Sequence, residues 1–239
     1  MAFPTTPILD NFNRVNQGPP PSASWHTPLD DFLDPLDGCI VSSNEATHQA
    51  APAGLFGYAT WNAATFGPDS EVYADAGTTG IFPFRLHARM TGINIGGFNN
   101  SYFLHVSSSA IQIFKSVGGT NTLLGTLVRT NAAGESFGLE MIGSTLKGYF
   151  KPVAGAWTVA LTVTDTTYTA AGRLGIALSA ISPPNVRTDN FGGGTVVVGG
   201  GNGGGGGGGP PSTSGGGGDE PRWRPSPATN IFPMNYPER

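Results

Sequence analysis

Between Cys39 and Leu178 the apolar residues come in short alternating runs, broken by turn residues at roughly 8–12-residue spacing. Phe84, Leu86, Ala88 and Met90 alternate with Arg85, His87 and Arg89, giving one apolar and one basic face. A period of two marks a half-buried strand. Further strands are expected over 101–106, 110–117 and 122–129, the last entered through Gly118-Gly119-Thr120-Asn121. Residues 136–142 and 145–151 flank Gly143-Ser144, a two-residue hairpin signal. In 157–164, Trp157, Val159, Leu161 and Val163 are expected to share a face, and in 173–179 Leu174, Ile176 and Leu178 are expected inside. No run of ten residues has a helical period, so the pattern predicts an all-β sandwich or barrel.

Glycine and proline divide the chain. Of its 37 glycines, 17 fall between Gly192 and Gly218. Four regions are expected: a Pro-rich segment 1–38 that includes the first strand, a body 39–191, a glycine-rich linker 192–218 and a terminal peptide 219–239. Poly-glycine has no side chain to bury and loses the most entropy on ordering, so the stretch reads as a linker. The body to Phe191 holds 9 basic and 13 acidic residues and carries the whole net charge of −4. That balance offers no footprint for nucleic acid or an anionic membrane surface. No apolar run reaches the roughly 18 residues of a helical membrane span. The start, Met1-Ala2-Phe3-Pro4, lacks a basic segment followed by an apolar one, so no secretory signal is expected. The single cysteine, Cys39, excludes an intramolecular disulfide and a Cys-rich zinc site.

Asp10-Asn11-Phe12 recurs as Asp189-Asn190-Phe191. If the terminal strands pair, the two copies meet, the phenylalanines cover the core edge and the Asp-Asn pairs sit at strand ends. Other motifs run in order: 9–14 (LDNFNR), 66–74 (FGPDSEVYA), 85–89 (RLHAR), 101–104 (SYFL), 146–150 (LKGYF), 165–168 (DTTY), 172–176 (GRLGI) and 188–191 (TDNF). Together, over about residues 8–192, they resemble the concanavalin A-like or laminin G-like jelly-roll domains of bacteriophage virion proteins, common among minor tail and surface components. The resemblance implies an antiparallel jelly-roll β-sandwich with a glycine-rich C-terminal extension. It implies a non-enzymatic structural protein of a virion, at the tail or capsid surface, with other virion proteins as partners and self-association into a homo-oligomer. The alternative on the same fold is a host glycan-binding adhesin or a capsid decoration protein.

Candidate chemistry is sparse. There is no Gly-x-Ser-x-Gly elbow, no His-Glu-x-x-His and no phosphate loop. A glycosidase needs two neighbouring carboxylates; Glu135 and Glu140 are five residues apart, which puts them on opposite faces of one strand. No two of the four histidines have metal-site spacing, and His87 and His105 read as outward-facing surface groups. Jelly rolls bind structural calcium with Asp and Asn oxygens, and Asp10, Asn11, Asp189 and Asn190 are the candidate ligands. A host cell-surface glycan would be held by exposed aromatics and amides. The candidates are Phe98, Asn99, Asn100, Tyr102, Arg85 and Arg89, centred on the loop 92–100, with Trp61 and Tyr73 as further exposed rings. Trp25 and Trp157 read as core residues or caps rather than ligand platforms. In the terminal peptide, prolines alternate with Arg222, Trp223, Arg224, Ile231, Phe232, Met234 and Tyr236. Stiff chain and hot-spot side chains together read as a docking segment for a virion partner.

Overall fold

The computed structural model describes residues 2–27, 38–49, 56–77, 82–94, 98–179 and 186–197. Residues 28–37, Ile95 to Gly97, most of the glycine-rich linker and the seven docking candidates from Arg222 to Tyr236 lie outside them. The strands are β1 (Ile8–Asp10), β2 (Trp25–His26), β3 (Cys39–Ser42), β4 (Glu45–His48), β5 (Phe56–Trp61), β6 (Ser70–Ala76), β7 (Phe84–Met90) and β8 (Ser101–Val106). They continue with β9 (Ala110–Val117), β10 (Thr120–Val128), β11 (Ser136–Ile142), β12 (Thr145–Lys151), β13 (Thr158–Thr164), β14 (Arg173–Ser179) and β15 (Arg187–Thr195).

Two antiparallel sheets face each other in a sandwich. One runs β13-β12-β11-β6-β15-β4-β3, with β1 also paired to β15; the other runs β10-β9-β8-β7-β14-β5-β2. Strict alternation builds the layer between them. Phe84, Leu86 and Ala88 of β7 and Tyr102, Leu104 and Val106 of β8 point inward against Val72, Ala74, Phe137, Leu139 and Met141 of the opposite sheet, all fully or almost fully buried. The alternation expected to include Met90 breaks at Arg89, whose φ is 49°, and the Met90 sulfur lies over Gly175 beside Phe98. Gly118 and Gly119 adopt φ of 56° and 84°, the left-handed pair that the β9–β10 hairpin needs.

The repeated Asp-Asn-Phe motif closes the sandwich. β1 pairs with β15, with Asp10 opposite Phe191. Phe12 and Phe191 are both wholly buried and flank Trp25, at ring distances of 5.9 and 4.8 Å. Trp61 meets the same indole edge-on at 5.3 Å. The Trp25 Nε1–H must keep a partner once buried, and it donates to Asp10 Oδ2 at 2.7 Å. Asp10 also accepts from the Phe12 amide and from both terminal nitrogens of Arg14.

The expected boundaries move at both ends. The segment 1–38 supplies the expected first strand, β1, and in addition β2 and two aromatic groups of the interior, Phe12 and Trp25. The linker does not start at Gly192: β15 continues to Thr195, with Gly192, Gly193 and Gly194 paired to Tyr73, Val72 and Glu71 of β6. A glycine is required at 192 because a Cβ there would enter the Tyr73 ring. The shared face expected for 157–164 also breaks. Tyr149 pairs with Val159 but Gly148 with Leu161, leaving Ala160 bulged. Leu161 and Val163 therefore pack on the core, while Val159 is turned out and Trp157 caps Phe3 on the outer side.

If Asp10 holds the closure, Asp10→Ala should lower the unfolding free energy by about 3 kcal/mol, because it leaves Arg14 and the buried indole N–H unpaired. Adding Arg14→Met should recover part of that loss. Urea unfolding of the two variants checks both, and equal midpoints for Asp10→Ala and the parent would show the clamp to be inert.

Candidate functional site

The outer face of the second sheet carries the candidate site. β7 and β8 pair with Arg85 opposite His105 and His87 opposite Phe103. Alternation turns these four away from the core. On the other side of β7, β14 contributes only Gly175 and Ala177, so the surface dips there and Tyr58 and Phe56 of β5 come within reach. Phe98 drops into the dip. Its ring is 4.8 Å from His87 and 4.9 Å from Tyr58, both edge-on, and Gly175 beneath has no room for a Cβ. Phe103 stacks on His87 at 4.8 Å and on Phe114 at 5.1 Å. A pocket of about 120 Å³ remains, lined by Tyr58, Arg85, His87, Phe98, Asn99, Phe103, Ser116, Gly119 and Asn121.

The polar atoms of this pocket follow a definite pattern. The Ser101 hydroxyl donates to the Phe98 carbonyl, so its oxygen accepts from His87 Nδ1–H. His87 Nε2 is then an acceptor, and it has no partner among the described residues. The Arg85 guanidinium lies over the Phe56 ring at 4.0 Å and the Phe103 ring at 5.1 Å, an arrangement favoured by the ring quadrupoles. Burial pushes the His87 imidazole well below its ordinary pKa, and the nearby Arg85 charge adds to this. The same two causes, in the same order, bring His105 down to about 4. Both rings are therefore neutral at pH 7, leaving Arg85 as the charge of the site.

Of the six expected glycan contacts, the structure brings Arg85, Phe98 and Asn99 together at this pocket. Phe98 is a buried wall rather than an exposed platform, because it fills the dip over Gly175. Asn100 instead pins the neighbouring hairpin: its Oδ1 accepts from Gly118 N and from the Tyr168 hydroxyl. Tyr102 is wholly buried, since its place in β8 points inward, and its hydroxyl donates to Asp165 at 2.6 Å. Arg89 is also buried; it donates to the carbonyls of Pro68, Tyr168 and Gly143 and ties three turns together. Trp61 belongs to the core and Tyr73 lies under the N-terminal segment, so neither is an exposed ring. His87 and His105 do face outward, but aromatic rings cover them and they are not solvated surface groups. Tyr58, Phe103, Ser116 and Asn121 line the pocket without having been singled out. The outward positions of β8 carried the signal for Phe103; the others come from strands that the sequence does not place beside β7.

The structure does not gather the four proposed calcium ligands, Asp10, Asn11, Asp189 and Asn190, into a metal site. Asp10 is occupied by a guanidinium, an indole N–H and an amide N–H. Asn190 donates its amide N–H to Asp75, and Asp189 accepts from the Asn190 amide. Among the described residues no group of three or more His, Cys, Asp or Glu side chains could hold a metal ion. A different carboxylate pair does share a face: Glu71 and Glu140 are opposite each other on β6 and β11. The chain's own groups engage one oxygen of each, and Glu71 Oε2 stays buried without a partner among the described residues. Thr5 and Thr6 donate two amides and two hydroxyls to Glu71 Oε1, while Glu140 accepts from Tyr149 and pairs with Lys147.

Neither a protein-family model nor a curated protein matches the sequence. Solved structures match the fold. The VIP36 exoplasmic/lumenal domain in a Ca²⁺- and mannose-bound form superposes with a TM-score of 0.53 at 10% identity, over 71% of this chain and 82% of that one. Lectin II from Ulex europaeus gives 0.51 at 10% identity, covering 72% and 92%. A legume lectin-like domain from Entamoeba histolytica gives 0.52 at 12% identity, covering 73% and 91%. The fold is thus the concanavalin A-like sandwich of the lectins.

The two covered imidazoles make stability depend on pH. In the unfolded chain they take up protons below about pH 6.5. In the fold they stay neutral to lower pH, so the unfolded state binds more protons and stability falls as the pH falls. For His105 the loss should run from about pH 6.5 to about 4, at ~1.4 kcal/mol per pH unit. Urea midpoints between pH 7.5 and 4.5 should show this slope, and His105→Gln should make it shallower. A flat profile would mean that the rings are solvated.

Proposed function

We propose that the chain is a carbohydrate-binding protein that works by recognition, not catalysis, with the Arg85 pocket as its sugar site. The pocket's own geometry carries the reading. Sugar sites pair apolar walls with a few fixed polar groups, and here Tyr58, Phe98 and Phe103 surround Arg85, His87, Asn99 and Asn121. The lectin-like sandwich supports it: VIP36 has been solved with mannose bound on this fold. A single shallow site of this kind should bind near the millimolar range, about −4 kcal/mol.

Useful attachment then requires many copies acting together, which suits the virion surface that the sequence resemblance implies. Display there as a homo-oligomer, with residues 219–239 docked on another virion protein, completes the proposal. The likeness to lectins supports the sugar-binding part and not the virion part.

Screening the full chain on immobilised glycans should retain one glycan class. Asn99→Ala and Asn121→Ala should each lower that binding about tenfold while the unfolding midpoint stays unchanged. Retention at full strength by both variants would remove the pocket from the reading. Deleting 219–239 should abolish incorporation into particles while leaving sugar binding intact; a truncated chain that still assembles would remove the docking role.

A further inference from the structure

The described arginines divide sharply by partner. Arg14, Arg129 and Arg187 each pair with a carboxylate, of Asp10, Glu135 and Glu45. Arg89 and Arg173 donate to backbone carbonyls. Arg85 does neither: among the described residues no hydrogen bond or ion pair reaches its guanidinium, and its Nε is buried without a partner. Among the described residues no Asp or Glu lines the pocket. The Phe56 and Phe103 rings lie against the guanidinium and the Tyr58 phenol acts on it electrostatically, but none of them is a fixed counter-charge at pH 7. A cation withdrawn from water without a counter-charge is costly, and its fold-mates show that this chain pairs such groups where nothing else is asked of them. Next to it, His87 Nε2 is a buried acceptor without a donor.

We infer that the pocket selects an acidic sugar, whose carboxylate or sulfate ester meets the Arg85 N–H edge while a neighbouring hydroxyl donates to His87 Nε2. This rests on the carbohydrate-binding reading and narrows it. The guanidinium edge matches a two-oxygen anion with two parallel N–H bonds. The acceptor nitrogen supplies what an anion alone would not use, and it is what points to a polyol bearing the charge. At about 120 Å³ the space is well below the ~300 Å³ of a drug-sized site. It therefore takes one residue, at a chain end or a branch, and not the middle of a polysaccharide. Asn99 and Asn121 at the rim are placed for the remaining hydroxyls.

Calorimetric titration of the full chain at pH 7.5 tests this with a panel of uronic acid and sulfated monosaccharide glycosides, each beside its neutral parent, and with sodium acetate and sodium sulfate. At least one acidic sugar should bind ten times or more tighter than its parent, and the uronate and sulfate arms tell which acid is read. The advantage should vanish in Arg85→Met, persist in part in Arg85→Lys and weaken in 0.5 M salt, with the unfolding midpoint of Arg85→Met equal to or above that of the parent. Equal binding of acidic and neutral sugars would overturn the inference and leave the carbohydrate reading standing. Binding of acetate or sulfate as tight as the acidic sugar would show a bare anion site and overturn it. No binding by any sugar would overturn both.

Discussion

A single carboxylate decides whether this sandwich is closed. Asp10 ends β1 where that strand lies on β15, and its two oxygens receive an indole, an amide and a guanidinium. The indole could not otherwise sit at the centre of the interior, because its N–H would be buried without a partner. With Trp25 fixed, Phe12, Phe191 and Trp61 pack around it from both sheets. The aromatic cluster thus seals the sandwich near both ends of the described chain, and the strands in between rest on that seal.

Each sheet also has an outer face, and the two are covered in different ways. On the first sheet the segment before β1 lies across β6, β11 and β12. Phe3 stacks on Tyr149 at 4.1 Å, the Tyr73 hydroxyl donates to the Thr6 carbonyl, and Glu71 gathers the Thr5 and Thr6 donors. Nearly every polar group there finds a partner within the chain, though Glu71 Oε2 is left over. On the second sheet Phe98 covers His87 but stops short of Arg85. One face is finished by the protein itself, whereas the other keeps a cation and an acceptor in reserve. This difference, more than the depth of either surface, is why the second face is the candidate site.

Much of the architecture was legible in the sequence because alternation has a single physical meaning in a two-layer fold. The inward sets of β8, β11 and β14, that of β7 as far as Ala88, the Gly118-Gly119 and Gly143-Ser144 turns and the meeting of the two Asp-Asn-Phe copies are all accessible in this way. The site was harder to read for two reasons. Alternation alone makes an outward strand position read as exposed, yet a loop residue such as Phe98 can bury an outward histidine. Strand neighbours separated in sequence were also invisible: Tyr58 reaches the pocket only because β5 lies beyond the small residues of β14. Arg85 and Asn99 were found by residue type, and Arg89 and Tyr102, of similar type, serve the scaffold instead. The bulge at Ala160 carried no signal, since nothing in 157–164 breaks its alternation.

The strand order sets when each half can form as the chain is made. β7, β8, β9 and β10 are consecutive and adjacent, so their meander needs only local pairing. The first sheet cannot be completed in that way. Its central strand β15 ends at Thr195, yet it must pair with β1, which begins at Ile8. Until a ribosome has released the last of these residues, β6 lacks one of its two neighbours and Asp10 lacks the strand beside it. The half that carries Arg85 is thus committed early, and the seal around Trp25 comes last, so an incomplete chain exposes a ready sheet with its apolar inner side still bare.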